Sequence, residues 1–571
     1  MRNELEGEAM PRETSETTVS STLRTGTPKA GSTSPRDGHV ARRGLGVGRA
    51  VLVTLVAVIL VAPTLGQHVI ATSDEARFPL LARDMMTRGV WFEAYVREKL
   101  FREKPPLYPW LIVIFSRPGG VVTETTAQAP VVLAAIATVL VTAQLGAALF
   151  GPTAGLAAGL ILSTCWGFFV HSQMILPDMI VLAFSTAAGL ALWRAVSDPP
   201  SPRAFVVFYA AVAFAMFAKG PVGLLPLAAA AAWLWTEDRW RGVRRLWHPL
   251  GVAVFVIITA AWVAPFLVIG VGSFAETVVV VDWLNRFPAT PRPLAVANFL
   301  LDILEGLVPW TPLVILAAGA AWAHWRVAAV RFAALWAAVP LLVLLLVETP
   351  LERYALVIYP GAALLAAWWA FAHAGQRSRA AAITAWISLG FSAALVATIL
   401  VGPSLTEHVA YIPNAWPRRI PLLAAAALMG AFLFWGLCRG RPRLLVYGVT
   451  ASAAIFLGYG NRVHAEWLNR TQDFKGLAAR LERYAQGREA RVYGGRFFQI
   501  DFYLGRPFLQ IRTNEEFNRF VLGPDHPVVL IDEPRGWPTV RPTAPPEVGI
   551  LDRMRVRGRD MLIVGIARQA P

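Results

Sequence analysis

Hydrophobic residues occur in repeated runs of about twenty positions, separated by short polar loops. A run of this length is enough for a helix to cross the hydrocarbon core of a bilayer. The pattern predicts a membrane all-α protein with about thirteen transmembrane helices. Their approximate positions are 46–66, 128–149, 153–171, 176–194, 204–218, 220–236, 250–271, 299–322, 329–348, 354–373, 380–401, 419–438 and 443–460.

The two ends of the chain have a different pattern. Residues 1–45 are rich in Ser, Thr, Gly, Pro and Arg, which predicts a disordered cytoplasmic tail followed by a retained first helix rather than a cleaved signal peptide. Residues 463–571 contain an amphipathic helix near 474–484 and strands near 490–493 and 527–532, as expected of a small α/β domain. The transmembrane domain is therefore predicted to extend over 46–462.

Arginine residues mark alternate loops between the apolar runs. They occur near Arg194, Arg241, Arg326, Arg377 and Arg441, and such cations are typical of cytoplasmic loops. This topology places the first polar loop, residues 67–127, and the C-terminal domain on the outer, periplasmic face.

The composition excludes several functional classes. Of the 571 residues 56% are hydrophobic and only 16% charged, and the net charge of +16 is spread over short loops rather than collected on one soluble face. Nucleic-acid binding is therefore not expected. The two cysteines, Cys165 and Cys438, form neither a metal motif nor a disulfide framework.

Acidic and basic residues cluster in the predicted outer loops. The first loop contains Asp74-Glu75-Ala76-Arg77 and then Glu103-Lys104-Pro105. Charges at the mouth of a bilayer span are costly and usually functional. The charged residues in the later loops also have structural explanations. Asp178 could cap a helix, and Lys219 could extend its ammonium to the membrane interface. Their occurrence in five separate loops on one face favours a common site.

This ordered set resembles the GT-C superfamily of membrane glycosyltransferases, and within it the bacterial aminoarabinose transferases and protein mannosyltransferases (glycosyltransferase family 39-like). The resemblance covers roughly residues 46–375, and the C-terminal domain looks like the periplasmic cap of the family. Three positions depart from the family pattern, because many members carry cations where this chain has Gln128, Gln173 and Pro350. The motifs that carry the resemblance are Asp74-Glu75-x-Arg77, Glu103-Lys104-Pro105, Leu176-Pro177-Asp178-Met179, Lys219-Gly220-Pro221, Arg286-Phe287 and Glu352-Arg353-Tyr354, ending in Tyr359-Pro360.

The resemblance implies transfer of one sugar, with inversion, from a polyprenyl-phosphate donor at the periplasmic face of a bacterial inner membrane. The acceptor is lipid A, another envelope lipid or glycan, or a protein. No cofactor is required, although a divalent metal near Glu103 stays open. The implied roles are catalysis for Asp74, Asp178 and Glu75, binding of the donor phosphate for Arg77, Lys104, Arg286 and Arg353, and lining of the substrate cavity for Glu103, Lys219, Tyr354 and Asp282.

A lipid or solute transporter without transferase activity is the alternative. Transporters usually contain internal repeats and ionisable residues near the middle of the bilayer. No twofold repeat is evident here, and the acids lie at helix ends on one face. The enzyme is therefore favoured, but the sequence names neither its sugar nor its acceptor.

Overall fold

The computed structural model describes residues 44–92, 95–96, 99–100, 104–197, 200–269, 292–348, 350–373, 378–405, 412–413, 415–495 and 497–566. The predicted tail at 1–43 lies outside these residues. Most of the described chain is helical up to residue 485. The helices are α1 (Val47–Val61), α2 (Ser73–Arg88), α3 (Leu107–Ser116), α4 (Glu124–Phe150), α5 (Pro152–Ser163), α6 (Trp166–His171), α7 (Asp178–Val196), α8 (Pro202–Lys219), α9 (Leu225–Arg244), α10 (Pro249–Ile269), α11 (Pro293–Gly306), α12 (Thr311–Ala323), α13 (Ala328–Leu344), α14 (Tyr359–Ala372), α15 (Arg379–Leu405), α16 (Trp416–Arg439), α17 (Val449–Thr471) and α18 (Phe474–Ala485).

Eight helical segments in the described residues are long and apolar enough to cross a membrane, and two bent pairs raise the number to ten. The bends measure 91° between α9 and α10 and 108° between α11 and α12. The α5 and α13 helices are apolar but shorter. A helical membrane protein is thus confirmed, whereas the count of thirteen spans stays a prediction.

Two of the predicted spans, 153–171 and 299–322, are broken, and hydrogen bonds join the two breaks. The run 153–171 divides into α5 and α6, and the backbone N–H of Trp166 after this break donates to the carbonyl of Val308 at 2.9 Å. The indole N–H of Trp310 donates to the Thr164 hydroxyl, also at 2.9 Å. Each break therefore supplies partners for polar groups exposed by the other, as non-helical backbone inside a membrane protein requires.

The α2 helix begins with a capping box. The Thr72 hydroxyl accepts from the backbone N–H of Glu75 at 3.2 Å, and the Glu75 carboxylate accepts from the backbone N–H of Thr72 at 3.2 Å. These bonds satisfy donors that every helix start leaves free. The helix starts at Ser73 and so includes Asp74 in its first turn.

The C-terminal region contains a five-stranded sheet, as predicted for an α/β domain. The strands are β3 (Ala490–Tyr493), β4 (Gln510–Ile511), β5 (Val528–Asp532), β6 (Val548–Val556) and β7 (Arg559–Ile566), while β1 (Tyr95–Val96) and β2 (Lys99–Leu100) form a separate antiparallel pair in the first loop. The order is β4-β3-β5-β7-β6, with β3 parallel to β4 and β5, and β7 antiparallel to its neighbours. Helices α18 and α19 (Phe498–Leu504) pack on one face of the sheet, and α20 (Asn514–Val521) and α21 (Trp537–Val540) on the other.

The C-terminal domain is docked on the first loop. The backbone N–H of Val69 donates to Asn469 at 2.8 Å, and the Asn469 amide donates to the Gln67 carbonyl at 2.7 Å. The Arg83 guanidinium in α2 donates to the Phe502 carbonyl at 2.8 Å. We call this end of the helix bundle, where the first loop and the C-terminal domain meet, the loop face.

Candidate active site at the loop face

Asp74 lies between two guanidinium groups. Its Oδ1 is 3.4 Å from Nη2 of Arg77, one turn further along α2, and its Oδ2 is 3.3 Å from Nη2 of Arg353. Arg353 belongs to a 3-10 helix, Glu352–Ile358, that immediately precedes α14. The Asp74 side chain is 44% exposed and each arginine 26%, so the carboxylate is open to an incoming molecule while the cations are largely covered.

A second ion pair joins the start of α7 to the end of α8. The Lys219 ammonium donates to Oδ1 of Asp178, and the two side chains are only 13% and 8% exposed. The same ammonium lies 4.6 Å from the ring centroid of Tyr354, within range of a cation–π contact. The other carboxylate oxygen of Asp178, Oδ2, is buried and has no hydrogen-bond partner, so it can accept a bond from a ligand.

The two pairs belong to one cluster. Arg353, which pairs with Asp74, is followed in the chain by Tyr354, which contacts Lys219. The positive charges of Arg353 and Lys104 also act on Lys219. The expectation that acids and bases from separate loops converge is therefore met by the described members of the set, which are Asp74, Arg77, Lys104, Asp178, Lys219, Arg353 and Tyr354.

Glu75 has a structural environment although it neighbours Asp74. It is 4% exposed, and its Oε2 accepts from both the backbone and the hydroxyl of Thr72. Its Oε1 accepts from the backbone N–H of Ile175 at 3.4 Å. Glu75 thus holds the start of α2 to the loop before α7. Its predicted catalytic role stays a prediction, and these contacts favour a positioning role.

Three predicted site residues, Glu103, Asp282 and Arg286, lie outside the described residues. In the part of the chain that is described, no group of three or more His, Cys, Asp or Glu side chains is arranged to hold a metal ion.

Gln128 and Gln173 occupy positions where the sequence departs from the family pattern. The Gln128 side chain is 1% exposed, accepts from the backbone N–H of Gly66 at 2.7 Å and donates to the Gln173 carbonyl at 2.9 Å. It therefore fastens the end of the first span to the loop that leads to Asp178. A neutral amide performs this bridging without adding a buried charge.

Sequence reasoning missed the residues of the C-terminal domain that reach the site. Gln499 bonds to Ala71 and Ser73, and the Tyr503 hydroxyl accepts from the backbone N–H of Ile70 at 2.9 Å. These partners are more than 400 residues apart, and no local pattern relates them.

The sequence matches a family model and a set of individual proteins. The family model for dolichyl-phosphate-mannose-protein mannosyltransferase matches residues 103–264. Undecaprenyl phosphate-alpha-4-amino-4-deoxy-L-arabinose arabinosyl transferases from Pectobacterium carotovorum and from an Enterobacter species are 25% and 24% identical over 61% and 68% of this chain. These alignments span 64% and 72% of the lengths of the two relatives.

A solved structure decides the fold. The crystal structure of ArnT from Cupriavidus metallidurans bound to undecaprenyl phosphate superposes with a TM-score of 0.72, covering 91% of this chain and 98% of that one at 20% identity. The chain therefore has the fold of that ArnT structure. The resemblance predicted from the motifs is thereby confirmed. The region that matches the family model contains Lys104, Asp178 and Lys219.

Proposed function

We propose that this chain is an integral membrane glycosyltransferase that moves one sugar from a polyprenyl phosphate to an envelope acceptor. The convergence of four cations and two carboxylates at the loop face is the observation that carries the proposal. The cations are Arg77, Lys104, Lys219 and Arg353, and the carboxylates are Asp74 and Asp178. The surplus of positive charge suits a phosphate ester, and the relatives named above act on an undecaprenyl phosphate-linked sugar.

The cations stabilise the leaving group. When the bond between the anomeric carbon and the phosphate oxygen breaks, its electron pair stays on that oxygen and the polyprenyl phosphate gains negative charge. Preorganised cations near such an oxygen lower the energy of the transition state. Arg353 suits a two-point contact with phosphate oxygens, whereas Lys104 acts as a point charge. Arg353 already has one buried N–H group, at Nε, that lacks a hydrogen-bond partner.

Asp74 orients or activates the acceptor. An acceptor hydroxyl forms the new bond to the anomeric carbon from the face opposite the phosphate, and this direction of attack inverts the configuration. The hydroxyl transfers its proton to a carboxylate. An acceptor phosphate, as on lipid A, has no proton to lose, and Asp74 then holds the acceptor or an amino group of the sugar. The open Oδ2 of Asp178 accepts a bond from the sugar.

The proposed location is the bacterial inner membrane, with the loop face in the periplasm. Arg241, in the last turns of α9, and Arg441, just after α16, lie at the helix ends away from the site, as the positive-inside rule requires of a cytoplasmic face. Reporter fusions near Arg241 are expected to read as cytoplasmic and fusions after Gly460 as periplasmic.

Transfer from labelled donors tests the proposal. The protein is purified in nanodiscs and incubated with polyprenyl phosphates carrying radiolabelled aminoarabinose, mannose or galactosamine, together with lipid A or total envelope lipid. Wild-type protein is expected to move label to the acceptor, and Asp74→Asn to lose at least 99% of that rate, since removing a group active in the transition state costs about 10²–10⁴-fold.

Asp84→Asn is the matched control. Asp84 lies on the same helix, where it pairs with Arg88 and accepts from the backbone of Tyr95, remote from Arg353. This variant is expected to keep the wild-type rate. Label that crosses the membrane without changing its carrier would instead support a transporter, and an Asp74→Asn variant of full activity would remove Asp74 from the mechanism.

A further inference from the structure

Segment 69–73, which leads into α2, is held by side chains of the C-terminal domain and the helix that enters it. Asn469 accepts from the N–H of Val69, and the Tyr503 hydroxyl accepts from that of Ile70. Gln499 then contacts the next part of the segment at two points, as described below. Because α2 begins at Ser73, these bonds fix where the helix starts and therefore where Asp74 lies.

Gln499 uses both ends of its amide on this segment. Its Nε2 donates to the carbonyl of Ala71 at 3.0 Å, and its Oε1 accepts from the hydroxyl of Ser73 at 3.2 Å. A carbonyl oxygen can only accept, so the amide orientation is determined by its partners. The side chain is 1% exposed, and a buried hydrogen bond that excludes water keeps its geometry well.

The surrounding contacts keep α19 in place against α2. Gln499 and Tyr503 are four residues apart and therefore lie on one face of α19. The Arg83 guanidinium donates to the carbonyls of Asp501 and Phe502 at 3.3 and 2.8 Å and lies 4.8 Å from the Phe502 ring. A cation at the last carbonyls of a helix satisfies groups that the helix leaves free. Burial of the guanidinium lowers the pKa of Arg83, and the nearby Asp501 carboxylate opposes this shift.

We infer that Gln499 is a positioning residue for the active site, acting through segment 69–73 on the Asp74 carboxylate. The inference rests on the proposed function, and it makes the C-terminal domain a part of the catalytic scaffold. A shift in segment 69–73 would carry Asp74 away from Arg353, because the carboxylate lies one residue beyond the bond between Gln499 and Ser73. Of the four cations proposed to bind phosphate, Arg353, Lys104 and Lys219 are on other segments and keep their places, and only Arg77, on α2 itself, would move with Asp74.

Gln499→Met tests the inference, since methionine has a similar length but forms neither bond. We expect kcat to fall roughly 10- to 100-fold, because small misplacements of a reacting group have effects of this size. The KM for the polyprenyl donor is expected to change less than about threefold, because three of the four cations proposed to bind phosphate are not displaced. Ser73→Ala, which removes one of the two bonds, is expected to give a smaller loss of kcat.

Amide hydrogen exchange supplies a readout that does not depend on catalysis. The exchange rate of residues 69–73 is expected to rise at least tenfold in Gln499→Met, since two of the bonds that restrain the segment are lost. Asn514→Leu is the matched control. Asn514 also uses both ends of its amide, bonding to Tyr493, Thr539 and Thr543 inside the C-terminal domain, and within the described residues these hydrogen bonds do not involve segment 69–73. It is expected to lower stability while leaving kcat and this exchange unchanged.

The outcomes separate the inference from the proposed function. Unchanged exchange in Gln499→Met, or faster exchange with wild-type kcat, would overturn the positioning role, and so would a rise in KM without a fall in kcat. If the wild-type protein transfers no sugar from any donor, both the proposed function and the proposed role of Gln499 in catalysis are wrong. The exchange data would still decide whether the amide restrains the segment.

Discussion

Two ion pairs at opposite ends of the helix bundle differ in their burial. At the loop face, the side chains of Asp178 and Lys219 are 8% and 13% exposed. Near the far end of α9, those of Asp238 and Arg245 are 49% and 50% exposed and 4.0 Å apart. The first pair also contacts the Tyr354 ring and is near the charges of Arg353 and Lys104, whereas the second joins two positions seven residues apart at the C-terminal end of α9.

The difference in burial indicates which of the two ion pairs has a chemical role. Taking an acid and a base out of water costs several kcal/mol, and the attraction between them seldom yields more stability than apolar residues of the same size. An exposed pair costs little and contributes about 0–1 kcal/mol. The pair of Asp178 and Lys219 is therefore poorly explained by stability, and a role toward a charged ligand accounts for it.

The largest expected effect comes from Asp178→Asn. It leaves the Lys219 ammonium buried without its carboxylate, which is expected to lower the free energy of unfolding by about 3 kcal/mol. Sugar transfer should fall at least 100-fold. Unfolding by denaturant in mixed micelles and the radiolabel assay measure the two effects. A variant with wild-type stability and rate would show that the pair has neither role.

The double variant Asp178→Asn with Lys219→Met sharpens this result. Removing both charges is expected to restore most of the lost free energy of unfolding, because a buried apolar residue is easier to accommodate than an unpaired cation. Transfer is expected to stay as low as in Asp178→Asn. Recovery of activity together with stability would mean that the pair is structural only.

Arg353→Gln is expected to weaken binding of polyprenyl phosphate roughly 10- to 100-fold, since a charge-assisted bond to phosphate contributes on the order of 1.5–3 kcal/mol. Its pair with Asp74 is partly exposed, so stability should change little. Fluorescence titration of nanodiscs with the lipid measures affinity. Arg418→Gln is the control, because Arg418 pairs with Glu466 at an exposed site 3.1 Å away. Equal losses in both variants would point to general membrane charge rather than a phosphate site.

The smallest effect is expected for Asp238→Asn at the other end of the comparison. Its pair with Arg245 is half exposed, so the free energy of unfolding should change by less than about 0.5 kcal/mol, with an unchanged transfer rate. The same unfolding and transfer assays apply. An effect as large as that of Asp178→Asn would contradict the distinction between the two pairs.

The helices were predictable because long apolar runs are a strong signal, but the breaks inside them were not. The runs at 153–171 and 299–322 stay apolar across their breaks, so hydropathy alone reads each as one span. The contacts between Trp166 and Val308 and between Trp310 and Thr164, which satisfy the broken backbone, join residues about 140 positions apart. Local sequence contains no record of them.

The grouping of charged side chains at the loop face was predictable because acids and bases recur in several loops on the same predicted face. The different roles of Asp74 and Glu75 were partly predictable from the sequence, since Thr72-x-x-Glu75 matches the capping-box pattern and predicts a structural role for Glu75. The role of Gln499 was not predictable from the sequence. A glutamine in a soluble domain has no distinctive neighbours in sequence, and its partners Ala71 and Ser73 are identified only by the fold.

A structure of the protein in nanodiscs with bound polyprenyl phosphate tests the central claim most directly. The phosphate is expected within about 3.5 Å of the Arg353 guanidinium and the Lys104 ammonium, at hydrogen-bond distance. Arg353 would then exchange its contact with Asp74 for the phosphate, leaving that carboxylate beside the sugar. A phosphate bound away from the loop face, with the pair of Asp74 and Arg353 intact, would contradict the proposed site.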